Sequence, residues 1–88
     1  MSPKPLTSAQ IRAARALIRW SALQLAEKTA LGVTTIRRAE LTASETKLTR
    51  VNDQAIRRVL EAAGVEFIDA NGGGPGVRLK KVDATRSE

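Results

Sequence analysis

The segment SALQLAEKTALGVTTIRRAEL, residues 21–41, decides the fold of this protein. Ser21 is followed three residues later by Gln24, which is the spacing of a capping box and predicts the start of a helix. Residues 29–32 interrupt the helical pattern, and their last residue, a glycine, suits a helix boundary. A further helix is then predicted over residues 33–41. The segment therefore predicts two helices joined by a short turn.

The second of these helices has two chemically different faces. At about 100° per residue, Ile36 and Ala39 point to one side and predict its contact with a core. The opposite side carries mostly polar residues: Thr34, Arg37, Arg38 and Leu41. An α-helix fits the major groove of DNA, and an arginine can donate two hydrogen bonds to O6 and N7 of guanine. The pattern predicts a DNA-reading face, with Arg38 as the first candidate for base readout.

On the N-terminal side, residues 1–6 contain two prolines and predict a short flexible arm. Thr7 or Ser8 can cap a first helix. Its apolar residues recur at helical spacing: Ile11, Ala14, Leu17 and Ile18. Its arginines occupy another face: Arg12, Arg15 and Arg19. Trp20 stands at the end of this helix, and we interpret it as an anchor that closes one side of the core.

On the C-terminal side, residues 42–51 show no helical rhythm and are predicted to form a loop. Asn52 can cap a fourth helix, which is predicted to end at Gly64. Two short β-prone runs follow, separated by a glycine-rich stretch, and predict a hairpin. The predicted fold is therefore mainly α, with four to five helices and a short C-terminal β-hairpin.

Composition supports a polyanionic partner. The 88 residues include 15 Lys and Arg against 9 Asp and Glu, a formal net charge of +6, and the calculated pI is about 10.8. Such a balance is typical of proteins that bind nucleic acid. The alternative interpretation is a solvated basic surface that serves only solubility.

Cysteine and histidine are missing from the sequence, and their absence narrows the possible chemistry. The sequence has no Cys and no His, which excludes disulfides, thiolate or imidazole metal sites and catalysis by either side chain. It also has no long apolar run of the kind that enters a membrane. We expect a cytoplasmic protein, associated with the nucleoid when bound to DNA, that is not an enzyme and needs no cofactor or metal.

The segment also resembles a known family. Leu25, Ala26, Ile36 and Glu40 stand where lambda-repressor-like, or XRE-family, helix-turn-helix regulators of bacteria have a Leu-Ala pair, a recognition-helix Ile and a terminal Glu. The resemblance covers roughly residues 8–64. It departs from the family pattern at three positions, all in or beside the turn. Ala30 stands where the family commonly has a Gly, and Gly32 stands where it commonly has a Ser or Thr cap. Val33 stands where it often has a polar residue.

The resemblance implies a lambda-repressor-like fold and a DNA interface. It implies base readout by three residues: Val33, Thr34 and Arg38. It implies phosphate contacts from the start of the first helix of the motif and from the reading helix: Ser21, Ala22, Thr35 and Arg37. Lys47 and Arg50, in the predicted loop, are candidates for further phosphate contacts. The predicted organisation is an arm (1–6), a helix-turn-helix DNA-binding domain (7–64), a hairpin (65–79) and a polar tail (80–88).

An isolated hairpin is only marginally stable, so its apolar side chains need a surface to cover them: Phe67, Ile68, Val77 and Leu79. A second subunit would supply that surface, and we expect a homodimer that binds an inverted-repeat operator. The leading function is a sequence-specific transcriptional regulator, in particular a repressor that competes with polymerase. The alternative is an antitoxin-type module that neutralises a partner protein and autoregulates its operon. An enzyme is the least favoured class.

Overall fold

The computed structural model describes residues 4–43 and 45–81. These residues form four helices followed by a two-stranded antiparallel sheet: α1 (Ser8–Ile18), α2 (Ala22–Thr29), α3 (Val33–Leu41), α4 (Arg50–Ala62), β1 (Val65–Ile68) and β2 (Gly76–Leu79). The predicted mainly α fold with a short C-terminal hairpin is confirmed. Residues 1–3 of the predicted arm and 82–88 of the predicted tail lie outside the described residues.

Helices α1 and α2 begin with the same capping arrangement. The Thr7 hydroxyl accepts a hydrogen bond from the backbone N–H of Gln10 at 3.1 Å, and the Gln10 side chain accepts one from the Thr7 N–H at 3.0 Å. Ser21 and Gln24 make the equivalent pair at 3.0 and 2.7 Å. Each box satisfies two of the N–H groups that have no partner within the helix, so the start of each helix is defined locally.

The start of α4 corrects a prediction from the sequence. Thr49, not Asn52, is the N-cap, and its hydroxyl accepts a hydrogen bond from the Asn52 N–H at 3.1 Å. Both residue types cap helices well, and they stand three positions apart, so the pattern alone favoured the wrong one. As a result Arg50, predicted in a loop, is the first residue of α4.

The end of the predicted flexible arm also needs correction, because it packs against α4. Leu6 is 1% exposed and belongs to the core. Its backbone N–H donates to Oδ1 of Asp53 at 3.0 Å, and Arg57 donates from Nη2 to the carbonyl of Lys4 at 2.7 Å. Thr7 forms an isolated antiparallel bridge with Glu45. Residues 4–6 are thus anchored at several points, and Leu6 is held by burial as well.

The core is aliphatic, and it draws residues from the arm, all four helices and β1: Leu6, Ile11, Ala14, Leu25, Ala26, Ile36, Ala39, Ile56, Leu60 and Val65. Trp20 lies two residues beyond the end of α1 and packs against this core while remaining partly exposed. None of the helices in residues 4–43 and 45–81 is long and apolar enough to cross a membrane.

The hairpin divides the four side chains that were predicted to share one covering surface. Phe67 pairs with Val77, and both pack against the core of their own chain. Ile68 and Leu79 remain 38% and 52% exposed. Because side chains alternate between the faces of a strand, Ile68 lies on the face opposite to Phe67. Part of the surface that the hairpin needs is therefore supplied within the chain.

Candidate nucleic-acid interface

The two faces of α3 differ in burial in the way the periodicity predicts. Ile36 and Ala39 are 0% and 1% exposed and lie in the core. The outer face is exposed: Thr34, Arg37, Arg38 and Leu41. Leu41 is 83% exposed, so this face also carries an apolar residue at its C-terminal end. α3 therefore presents a continuous outer surface of mixed polar and apolar chemistry.

The C-terminal end of α3 is fixed to α1 by an ion pair. Arg15 donates from Nε to Oε2 of Glu40 at 2.6 Å and from Nη2 to Oε1 at 2.7 Å. Its Nη1 donates to the carbonyl of Trp20 at 2.8 Å. The pKa of Arg15 is raised, chiefly by its hydrogen bond to Glu40, so the guanidinium stays charged. Two parallel bonds restrict both rotation and translation of the joined side chains.

Two more residues of α1 bond to the last carbonyls of α3. Ser8 donates from its hydroxyl to the carbonyl of Ala39, and Arg12 donates from Nη1 to the carbonyl of Glu40. The last carbonyls of a helix have no partner within it. Ser8, Arg12 and Arg15 are spaced four and three residues apart and share one face of α1. This face therefore caps α3 from a neighbouring helix.

These bonds from α1 to α3 were not predicted from the sequence, which placed Arg12, Arg15 and Arg19 only on a face of α1 away from its apolar residues. One signal was present. Glu40 follows Ile36 by four residues and Ala39 by one, which places its carboxylate at the border of the buried face. A carboxylate in that position needs a cation or hydrogen-bond donors. The polar stripe on α1 supplies both.

The start of α2 was predicted to contact phosphate. Ser21 is exposed, but its backbone N–H already donates to the Gln24 side chain. Ala22 is partly buried against the core. The N–H groups of Ala22 and Leu23 make no hydrogen bond to any residue in the described ranges. Among the described residues, the amide groups without a partner at the start of α2 are thus those of residues 22 and 23.

Thr35, Arg38 and Lys47 are brought together by the tertiary structure. They line a shallow cleft of about 280 Å³ between α3 and the segment that follows it. Lys47 has a backbone φ of 62°, in the left-handed region that non-glycine residues rarely adopt. Arg50 does not line this cleft and lies exposed in the first turn of α4. The cleft thus brings Lys47 next to two residues of α3, Thr35 and Arg38, from which it is separated in the sequence.

Four cations between α3 and the start of α4 make no ion pair or hydrogen bond with the residues that the structure describes: Arg37, Arg38, Lys47 and Arg50. Val33, by contrast, is partly buried against the core, so only part of its surface is accessible. Among the three candidate base-reading residues, Thr34 and Arg38 are the exposed ones. An exposed helix face with unpaired arginines can bind the acceptors of base edges or phosphates.

Comparison of the sequence with models of known protein families, and with curated proteins, finds no match.

Proposed function

We propose that this protein is a sequence-specific regulator of transcription that reads double-stranded DNA with the outer face of α3. The observation that carries the proposal is the contrast within this helix. Its inner face is buried and its C-terminal end is bonded to α1, while Arg37 and Arg38 on its outer face have no ion pair with a described residue. A rigidly held helix with free hydrogen-bond donors suits the major groove.

The surrounding charge supports binding to a polyanion. The net charge of +6 attracts phosphate before any specific contact forms. Lys47 lies beside Arg38 in the cleft, and Arg50 is exposed at the start of α4. Each cation that neutralises a phosphate releases condensed counterions and strengthens binding at low salt. We therefore expect affinity to fall steeply as salt is raised.

The exposed side chains divide into two proposed roles. Thr34 and Arg38 read base edges, and the accessible part of Val33 adds an apolar contact. Phosphate contacts come from the remaining cations and hydroxyls near α3 and from the amide end of α2: Thr35, Arg37, Lys47, Arg50, Ser21 and Ala22. The N–H groups of Ala22 and Leu23 lie at the N-terminus of α2, the positive end of the helix dipole, where anions bind.

The resemblance to lambda-repressor-like, XRE-family regulators supports the same proposal, since the motif residues Leu25, Ala26 and Ile36 occupy the core and Glu40 receives the ion pair. Such a protein acts as a homodimer on an inverted-repeat operator and represses by competing with polymerase.

Selection of bound sequences from a random DNA pool, repeated at two salt concentrations, tests the proposal. We expect an enriched inverted repeat whose binding weakens steeply with salt. Arg58→Ala provides a control matched to Arg38→Ala. It also removes one positive charge, but from an exposed position on α4 rather than on α3. Equal affinity for the enriched repeat and for scrambled DNA would overturn the proposal.

A further inference from the structure

Strand β2 has an open outer edge. The Lys80 N–H donates to the carbonyl of Gly64 at 2.8 Å, which makes residues 64 and 80 a hydrogen-bonded pair of the ladder. Such pairs alternate with non-hydrogen-bonded pairs along an antiparallel ladder. The register pairs Val65 with Leu79 and Phe67 with Val77, so these are the non-hydrogen-bonded pairs. The N–H and C=O groups of Val77 and Leu79 therefore point away from β1.

These outward groups have no partner in residues 4–43 and 45–81. The other strand of the hairpin, β1, is covered by a helix, because it lies beside α4. Val65 of β1 is buried with Leu60 of α4 in the core, and the guanidinium of Arg57 lies 5.2 Å from the centre of the Phe67 ring. β2 contacts α1, but no described residue hydrogen-bonds to the outward groups of Val77 and Leu79, so these groups remain available for pairing with another strand.

We propose that β2 pairs edge to edge, antiparallel, with β2 of a second copy of this chain, forming a four-stranded sheet across a two-fold axis. The inference deepens the proposed function, on which it rests, by naming the surface that joins the two DNA-reading subunits. A strand added to an open edge gains main-chain hydrogen bonds without rearrangement of either partner.

The strand is self-complementary when the two-fold axis passes through Arg78. Val77 of each copy then exchanges two hydrogen bonds with Leu79 of the other, giving four in total. The same pairing places the Val77 side chain opposite Leu79 of the second copy, which covers a side chain that is 52% exposed. All outward groups of the two residues are satisfied.

Neighbouring registers fit less well. An axis through Val77 would place Pro75, which has no N–H, opposite Leu79. An axis through Leu79 would place the charged Lys81 on the apolar side opposite Val77. An axis through Arg78 brings two arginines face to face, but each is already bonded to its own Glu66 at 2.7 Å. This internal pair reduces the repulsion that like charges produce across strands.

Helix α1 connects this edge to the proposed DNA-reading face. Gln10 donates from Nε2 to the carbonyls of Ile68 and Gly76, at 3.3 and 3.0 Å, and so holds the hairpin. Ser8 and Arg15 of the same helix hold the end of α3. A dimer joined through β2 would therefore set the relative positions of two α3 helices through packed contacts, as binding to an inverted repeat requires.

The test measures the mass of the full chain without DNA by sedimentation equilibrium at roughly 1 to 100 µM, the range in which a small interface dissociates. Leu79→Pro removes the outward N–H but no bond to β1, because Leu79 belongs to a non-hydrogen-bonded pair. Leu79→Ala is the matched control, since it removes the side chain and keeps the N–H. We expect Leu79→Pro to raise the dimer dissociation constant at least about tenfold above that of Leu79→Ala.

Hydrogen exchange on the unmodified protein gives a second readout that needs no variant. The amides of Val77 and Leu79 should become more protected as concentration rises through the dimer transition, whereas the Arg78 amide, which faces β1, should be protected throughout. A monomer at every concentration, or a dimer in which the Val77 and Leu79 amides stay unprotected, would overturn the inference. The proposed DNA binding would survive either result if the chain still selected a single half-site.

Discussion

Helices α1 and α3 each carry two arginines within one helical turn, and the two pairs differ in their bonding partners. Arg12 and Arg15 of α1 donate to the carbonyl and the carboxylate of Glu40. Arg37 and Arg38 of α3 have no ion pair with a described residue. Both pairs contribute equally to the net charge. A basic composition therefore indicates a nucleic-acid partner only after the internally bonded arginines have been separated from those without an ion pair.

Removal of an arginine that bonds to the end of α3 should destabilise the fold. Arg15→Ala should lower the free energy of unfolding by about 2–3 kcal/mol, because it leaves the nearly buried Glu40 carboxylate without its cation. Urea denaturation measures the loss. The double variant Arg15→Ala, Glu40→Gln should recover part of it by removing the unpaired charge. Equal stability of Arg15→Ala and the unmodified protein would show that the pair does not hold α3.

Removal of an arginine from the outer face of α3 should instead weaken DNA binding. Arg38→Ala should weaken binding to the selected DNA site by about 1–3 kcal/mol and relax the preference at one base position. Its unfolding free energy should change by no more than about 0.5 kcal/mol, as for other exposed positions. Titration of selected and scrambled DNA measures both effects, with Arg58→Ala as the control. Equal losses on the two DNAs would assign Arg38 to phosphate.

Lys47 lines the same cleft as Arg38, but we expect its removal to affect DNA binding in a different way. Lys47→Ala should weaken binding to all sequences to a similar degree and reduce the slope of log affinity against log salt by about 1. Titrations at several salt concentrations measure the slope. A loss confined to the selected site would instead make Lys47 a base-reading residue.

A smaller effect is expected in the turn between α2 and α3. Ala30 has a φ of 62°, a left-handed conformation that costs an L-residue about 1–2 kcal/mol. Ala30→Gly removes this strain but increases the entropy of the unfolded chain, so a net stabilisation of up to about 1 kcal/mol is expected. Ala16→Gly, at an exposed position within α1, is the control and should destabilise by about 0.5–1 kcal/mol. Thermal unfolding compares them, and destabilisation by both would argue against strain at Ala30.

The smallest effect concerns the buried Asp53. Burial raises its pKa above 3.8, while the hydrogen bond from Leu6 and the charge of Arg57 oppose that rise. On raising the pH the unfolded state ionises first, so the stability contributed by this group is lost as pH rises from 3.8 through the folded-state pKa. Asn at this position keeps an acceptor for the Leu6 N–H and does not ionise. The stability of Asp53→Asn relative to the unmodified protein should therefore increase between pH 3 and pH 7. Urea unfolding at a series of pH values measures the free energies of unfolding of both proteins. A difference between these free energies that stays constant with pH would contradict the prediction.

Much of the fold could be predicted from local sequence. The capping box at Ser21, the C-terminal hairpin and the buried face of α3 were predicted from residues a few positions apart, and Thr7 was one of two candidate caps for α1. The error at α4 was local too, because Thr49 and Asn52 are competing caps of similar strength. The left-handed Ala30 has no comparable local signal: its residue type favours helix, and only the requirement to turn the chain between α2 and α3 places it there.

Local sequence predicts which segments are helical, which faces are apolar and that the chain carries excess positive charge, since these depend on residues close together in the chain. Only the tertiary structure shows which polar groups are paired. Arg15 meets Glu40 across 25 positions, Leu6 meets Asp53 across 47, and Gln10 meets Ile68 and Gly76 across 58 and 66. Periodicity carries no information over such separations, because it describes the geometry of one element and not the packing of one element on another.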